Sequence, residues 1–149
     1  MSCRQSAHFS AVLILIGFLL LPSFSATLPS AVLGAMQEVP GGDNDQPLWS
    51  PSGDRILFTK RHLAKTEIYV MGVDGSQPRR LTTTPTGDST DPAWSPDGKR
   101  IVYSSGVRIN TQIYVMNADG SGARRLTSEG KNGVPAWSPD GRRIAFISA

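Results

Sequence analysis

Trp94-Ser95-Pro96-Asp97-Gly98-Lys99-Arg100 is the stretch that decides the fold, because the chain contains it in three versions. Related copies occupy residues 49–55 (Trp-Ser-Pro-Ser-Gly-Asp-Arg) and residues 137–143 (Trp-Ser-Pro-Asp-Gly-Arg-Arg). Ser-Pro-Asp-Gly suits a tight reverse turn, since Ser bonds nearby backbone, Pro fixes φ at the first corner and Gly accepts a positive φ. Each copy precedes an apolar run, at residues 56–58, 101–103 and 144–146. The pattern predicts a strand, a tight turn and a second strand.

Landmarks outside the turn share its spacing. Three pairs are each 45 residues apart: Trp49 with Trp94, Ile68 with Ile113, and Arg80 with Arg125. Trp94 and Trp137 are 43 residues apart, and the connection after the Leu-Thr pair accounts for the difference. Several landmarks with one period indicate a structural repeat.

Each repeat is predicted to hold four strands. The first strand ends at the tryptophan (residues 47–49, 92–94 and 135–137), and the second is the run that follows the turn. The third covers residues 67–71 and 112–116, and the fourth residues 79–82 and 124–127. Asp-Gly-Ser at residues 74–76 and 119–121 provides hairpin turns. Because the second and third strands are apolar on both faces, each sheet must be covered on both sides, as in a β-propeller blade.

These residues closely resemble the WD40-like β-propeller repeat of the TolB type, over residues 43–149. The repeat runs Pro-x-Trp-Ser-Pro-Asp-Gly-Lys-Arg-Ile, then Ile-Tyr-Val-Met-Asn-Ala-Asp-Gly-Ser, then Arg-Arg-Leu-Thr. The second copy matches nearly throughout, whereas the first departs at Ser52, Asp54 and Gly72-Val73. The resemblance implies an all-β fold of four-stranded antiparallel blades: residues 47–82, residues 92–127 and half a blade at residues 135–149.

Two repeats and a half are too few for a closed propeller, which has four to eight blades. A truncated chain or gene fragment is one explanation, and assembly of several copies into a ring is the other. We favour truncation, because residues 144–147 would present an unpaired apolar strand edge.

The N-terminal residues predict export. Arg4 gives a positive start, residues 11–21 are uninterruptedly apolar, and Pro22 precedes small residues, so residues 1–26 are interpreted as a signal peptide cleaved near Ser25. An uncleaved anchor is the rival, because no charge occurs between Arg4 and Glu38. Residues 27–46 are interpreted as a linker. Either alternative predicts a periplasmic or secreted globular part.

Charge and composition exclude several function classes. The formal net charge is +3, with acids and bases mixed along the chain, so no nucleic-acid surface is expected. Cys3 is the only cysteine and lies in the predicted leader, which leaves no thiol chemistry in the mature chain. A membrane contact is expected only through the leader, if it is not cleaved.

No catalytic, cofactor-binding or metal-binding residue is predicted. His62, the only histidine after the leader, is expected in a basic connection without a nucleophile or an orienting carboxylate. Turn formation accounts for Asp74, Asp97, Asp119 and Asp140. Four further acids are expected in loops that precede the first strands: Asp43, Asp45, Asp88 and Asp91. The arginine pairs at residues 79–80 and 124–125 are expected to protect strand edges, and Trp49, Trp94 and Trp137 to pack between blades.

The favoured function is a non-catalytic scaffold that binds protein partners outside the cytoplasm, in cell-envelope organisation or transport, as the resemblance to TolB implies. One alternative is the substrate-gating propeller of a prolyl-oligopeptidase-like hydrolase, with its catalytic domain encoded beyond Ala149. A carbohydrate-binding propeller is the other. No small-molecule substrate and no cofactor are expected.

Overall fold

The computed structural model describes residues 42–85 and 87–149, and their regular structure consists of ten β-strands. The predicted signal peptide and residues 27–41 of the predicted linker lie outside the described residues. Over the described part of the chain, no helix has the length and hydropathy that a membrane span requires.

The strands form two complete four-stranded sheets and one two-stranded sheet. Blade 1 contains β1 (Asp43–Trp49), β2 (Arg55–His62), β3 (Lys65–Gly72) and β4 (Arg79–Arg80). Blade 2 contains β5 (Asp88–Trp94), β6 (Arg100–Val107), β7 (Asn110–Asn117) and β8 (Arg124–Arg125). The half-blade contains β9 (Asn132–Trp137) and β10 (Ile144–Ser148). Each strand pairs antiparallel with the next in its sheet, which confirms the predicted four-stranded blades and the partial third one.

The first strand of each repeat begins earlier than predicted. It begins at Asp43, Asp88 and Asn132 instead of residues 47, 92 and 135. Residues 43–46 therefore belong to blade 1 and not to the linker. The prediction failed because a β-bulge interrupts each strand, at Gln46, Asp91 and Val134, where φ is 52°, 50° and 51°. A bulge adds one unpaired residue, so the apolar pattern breaks although pairing resumes beyond it.

The second and fourth strands also differ from the prediction. β2 and β6 continue to His62 and Val107, and the fourth strands β4 and β8 each have two residues instead of four. In both complete blades the backbone still bonds beyond the short strand, since Leu81 N donates to Ile68 O (2.8 Å) and Leu126 N to Ile113 O (2.7 Å).

The repeated turn has the predicted geometry. Gly98 N donates to Ser95 O (2.8 Å), and Gly98 has φ of 67°. Ser95 Oγ donates to Asp97 Oδ1 (2.6 Å), and the same carboxylate oxygen accepts the N–H of Lys99 (3.0 Å). A carboxylate that bonds its own turn in this way stabilises the reversal between β5 and β6.

The main core lies between the two complete blades. Leu57, Ile68 and Val70 of blade 1 form one buried cluster with Leu81, which follows β4, and with three residues of blade 2: Ile101, Tyr103 and Met116. Trp94 and Tyr114 pack against this cluster. The position of Trp94 is as predicted. Trp49, at the same place in blade 1, is 47% exposed, so the expectation that all three tryptophans pack between blades is wrong for this one.

The half-blade covers the far face of blade 2 and leaves its own second strand at an edge. Among the described strands, β10 pairs only with β9. Ile147 on β10 is 63% exposed. This agrees with the predicted apolar edge at residues 144–147.

Candidate interaction surface

The blades have two distinct ends. Asp43 pairs with Arg61 and Asp88 pairs with Gly106, so the starts of the inner strands lie beside the β2–β3 and β6–β7 hairpins. We call this the hairpin end. The Ser-Pro turns lie at the opposite end, called the turn end, where Pro51 and Gly98 of successive turns approach each other.

Two hairpin tips project bulky apolar side chains. His62 pairs with Lys65 and Val107 pairs with Asn110, so each tip is a two-residue turn: residues 63–64 and 108–109. Leu63 is 88% exposed and Ile109 is 82% exposed. The first residue of each turn, Leu63 or Arg108, has a positive φ of 57° or 46°. Two-residue hairpin turns of the primed types have a positive φ at this position, so both tips have the backbone of a tight hairpin turn.

A buried carboxylate holds the segment between β4 and β5, which joins blade 1 to blade 2 and is called the link. Glu67 on β3 accepts hydrogen bonds from the hydroxyls of Thr82 and Thr84 and from Thr84 N (3.0 Å). Thr84 Oγ1 is also 2.9 Å from Ser89 Oγ on β5. The chain of bonds therefore runs from one blade to the next through the link.

Lys65 and Thr66, which lie beside the first hairpin tip, hold the same link. Lys65 Nζ donates to the carbonyl oxygens of Thr84 (3.0 Å) and Pro85 (2.7 Å), and Thr66 N donates to Asp88 Oδ1 (2.7 Å). The link at the hairpin end is thus tied to blade 1 by side chains as well as by its backbone.

The next link repeats this arrangement with an amide. Gln112 stands at the position of Glu67; its Oε1 accepts from Thr127 Oγ1 (2.6 Å) and Asn132 Nδ2 (3.0 Å), and its Nε2 donates to Gly130 O (2.8 Å). The sequence reasoning missed both residues. A signal was available, because an oxygen-bearing side chain and a later threonine recur at the same repeat positions.

The inner strands carry a polar pair at their bulges. Gln46 Nε2 donates to Asp91 Oδ1 (3.1 Å), and Asp91 N donates to Gln46 Oε1 (3.0 Å). The predicted loop positions of Asp43, Asp45, Asp88 and Asp91 are therefore wrong, since all four belong to β1 or β5. The extra bulge residue places Gln46 and Asp91 side by side across the two blades.

The basic residues before the first tip belong to β2 and not to a connection. His62 ends the strand and is exposed, whereas Lys60 is buried with Nζ 5.8 Å from the centre of the Tyr69 ring. Within residues 42–85 and 87–149, neither a nucleophile nor a carboxylate forms a hydrogen bond with His62. Its surroundings match those of an exposed histidine at a hairpin.

The carboxylates of the turn acids accept hydrogen bonds from residues of their own turns. Asp119 Oδ1 accepts from Ser121 Oγ (2.6 Å) and Ser121 N (2.8 Å), and these hydrogen bonds lower the pKa of Asp119 below its ordinary value. Hydrogen bonds from serine lower the pKa of four other turn acids: Asp54, Asp74, Asp97 and Asp140. Across residues 42–85 and 87–149, no three acidic, histidine or cysteine side chains form a group suited to a metal ion.

The exposed arginines on β4 and β8 bond main-chain oxygens. Arg79 Nη1 donates to Asp119 O in the next blade (2.6 Å), and Arg125 Nη2 donates to Ser128 O (2.7 Å). Arg79 thus attaches β4 to a turn of the next blade, whereas Arg125 bonds the segment that follows its own strand β8.

Comparisons with known proteins agree with this fold. A family model of the TolB β-propeller domain matches residues 30–149. TolB from Acinetobacter baumannii is similar with a TM-score of 0.62 and 22% identity, over 72% of this chain and 27% of that one. A putative TolB from Agrobacterium tumefaciens has a TM-score of 0.60 and 28% identity, over 72% of this chain and 44% of that one.

The fold also occurs in enzymes. A prolyl endopeptidase is similar with a TM-score of 0.55 and 17% identity, over 78% of this chain and 21% of that one. In all three comparisons the chain spans less than half the length of the protein it matches. Because the family model matches most of the sequence and the blades have the corresponding strand order, the chain belongs to the TolB β-propeller domain family.

Proposed function

We propose that the chain is a non-catalytic module that binds a partner protein outside the cytoplasm through its hairpin end. The observation that carries the proposal is the pair of tips at which Leu63 and Ile109 are more than 80% exposed. Val107, beside the second tip, is 48% exposed. Bulky apolar side chains grouped on one end of a soluble domain are typical of a protein contact.

The support beneath the tips favours binding by preformed loops. Lys65 ties the first hairpin to the link at Thr84 and Pro85, and Glu67 ties the same link to β3. A surface held in place before binding loses less conformational entropy when a partner docks. Binding loops on a rigid β-scaffold are a common arrangement.

The proposed location rests on the family and on the leader. Resemblance to TolB implies a periplasmic protein, and residues 1–26 have the charged, apolar and small-residue regions of an export signal in order. A role in cell-envelope organisation or transport follows from the same resemblance.

The experiment compares which partner proteins crosslink to the wild type and to variants of the two hairpin tips. The double variant Leu63→Asp/Ile109→Asp places charge on both tips, whereas the control Gln77→Asp places charge on an exposed residue at the turn end. Crosslinking in cell-envelope extract, followed by quantitative mass spectrometry, would identify partners held by the wild type and the control but lost by the double variant. Binding is then measured with the purified partner.

Far-UV circular dichroism would serve to check that the variants are folded. A partner that binds the folded double variant as tightly as the wild type would contradict a contact through the hairpin end.

The alternative, a gating propeller of a prolyl-oligopeptidase-like hydrolase, is favoured by the structural similarity to a prolyl endopeptidase. It predicts a Gly-x-Ser-x-Gly nucleophile elbow with downstream Asp and His in coding sequence beyond Ala149. The scaffold proposal expects purified protein to hydrolyse neither peptide nor ester substrates. Turnover abolished by His62→Ala would favour an enzyme.

A further inference from the structure

One face of blade 1 has the composition of an interface between blades. Ile56, Phe58 and Met71 form a buried cluster there, with Tyr69 and Val73 packed against it, and Phe58 is 0% exposed. All five residues belong to blade 1, and within the described part of the chain no second sheet joins this cluster. The opposite face of blade 1, by contrast, packs on blade 2.

The equivalent face of blade 2 shows which part of the chain covers such a face. Ile56, Phe58, Tyr69 and Met71 each stand 45 residues before their counterparts in blade 2: Ile101, Tyr103, Tyr114 and Met116. In blade 2 this face is covered in part by the segment that leads into β5. Leu81 belongs to the same buried cluster as Tyr103, and residues 81–85 line a groove with Tyr103 and Tyr114.

The segment that leads into β1 has the same sequence landmarks. Pro40 and Gly42 stand 45 residues before Pro85 and Gly87, and Met36 stands 45 residues before Leu81. An apolar residue, a proline and a glycine therefore precede both inner strands at the same distances. The family match also begins upstream of β1, at residue 30.

The two glycines confirm that the chain enters both blades in the same way. Gly42 has φ of 115° and Gly87 has φ of 86°. A Cβ at Gly42 would lie 2.0 Å from Arg61 O, and one at Gly87 would lie 2.2 Å from Gly106 O. Only glycine permits so close an approach of the two backbones, so both positions require the same local path.

We propose that residues 34–41 dock on the Phe58 face of blade 1, with Met36 against Phe58 and Tyr69 as Leu81 lies against Tyr103. This segment is the outermost part of a repeat that precedes blade 1, and not a free linker. It covers apolar side chains that would otherwise be available to a second copy of the chain.

Disulfide formation tests the contact. In full-length protein with Cys3→Ser, the pair Met36→Cys/Tyr69→Cys is oxidised with diamide. The reference pair is Leu81→Cys/Tyr114→Cys, 45 residues later, where Leu81 and Tyr114 line the same groove. The control Ala35→Cys/Tyr69→Cys has the same tether length, but neighbours on an extended segment point to opposite sides. We expect the Met36 pair to form an intramolecular disulfide about tenfold faster than the Ala35 pair, a preference of about 1.4 kcal/mol.

Equal rates for the Met36 and Ala35 pairs would overturn the proposal, because a mobile tail brings both to Tyr69 alike. Disulfides between chains only would also overturn it and would assign the face to a second copy. Substitution gives an independent readout: Met36→Asp should lower the urea midpoint and promote self-association in sedimentation, whereas Ala35→Asp should do neither. Identical behaviour of these two variants would reject the docked segment.

Discussion

At the residue scale, the first turn shows that a sequence departure can keep the same chemistry. Ser52 stands where the other repeats have Asp97 or Asp140. The carboxylate of Asp54, two residues later, accepts the Ser50 hydroxyl in its place, at 2.9 Å from Ser50 Oγ to Asp54 Oδ1. The turn therefore keeps a serine–carboxylate bond, because a side chain two residues further along the chain reaches the same hydroxyl.

The pH dependence of the second turn follows from its hydrogen bonds. The Ser95 hydroxyl, the Lys99 N–H and the nearby positive charges lower the pKa of Asp97 below its ordinary value of 3.8. A carboxyl whose pKa is lower in the folded state stabilises the fold above the unfolded-state pKa. That contribution is lost as the pH falls through the folded-state pKa.

Asp97→Asn should therefore lower the urea midpoint at neutral pH, and the difference from the wild type should shrink well below pH 3.8. Urea melts across that range measure the effect. Asp43→Asn, which changes an exposed acid outside the turns, controls for net charge. A difference between Asp97→Asn and the wild type that stays constant with pH would contradict this origin.

At the scale of the elements, blades stack through residues whose burial depends on the neighbouring blade. Trp94 packs against the cluster between blades 1 and 2, and the Arg100 guanidinium lies 4.6 Å from the centre of the Trp137 ring. Trp49 occupies the same strand position but is 47% exposed. Trp94 and Trp49 are therefore expected to contribute different amounts to the free energy of unfolding.

Trp94→Ala should destabilise the fold by about 3 kcal/mol, the lower end of the range for large aromatic side chains, because Trp94 is only partly buried. Trp49→Ala is the matched control and should cost less than about 1 kcal/mol. Urea melts followed by far-UV circular dichroism measure both changes. Equal midpoints for the two variants would show that Trp94 contributes no more packing than Trp49.

At the scale of the whole molecule, the blades are joined in series. Glu67 on β3 accepts a hydrogen bond from Thr84 N in the link, and the Thr84 hydroxyl bonds the Ser89 hydroxyl on β5. Ser89 Oγ in turn lies 3.4 Å from Ser105 Oγ on β6. In a repeat architecture the stability of one unit depends on its interface with the next. A change at Glu67 should accordingly affect both blades.

Glu67→Ala leaves Thr84 N without its carboxylate acceptor and should cost about 1–3 kcal/mol. Hydrogen exchange should rise in β5 as well as in β3. Glu67→Gln should be close to wild type, because Gln112 fills the same place in blade 2. Glu129→Ala, at an exposed glutamate, is the surface control. Faster exchange confined to blade 1 would contradict coupling through the link.

The local and periodic features could be predicted from the sequence. The turn at residues 95–98 depends on residues adjacent in the chain, and the spacing of 45 residues needs no knowledge of contacts. Four strands per blade and the apolar edge at residues 144–147 follow from the same repeat. Such features depend on short-range chemistry, which the order of residues records directly.

The bulges of the first strand in each repeat, and the bonds that link one blade to the next, could be found only from the tertiary structure. Gln46, Asp91 and Val134 share a positive φ but no residue type, so no sequence signal marked their bulges. Trp49 and Trp94 both precede a Ser-Pro turn, but Trp94 packs against the cluster between the two blades whereas Trp49 is 47% exposed. These features arise where residues distant in sequence meet, and a strand pattern gives no information about the surface opposite it.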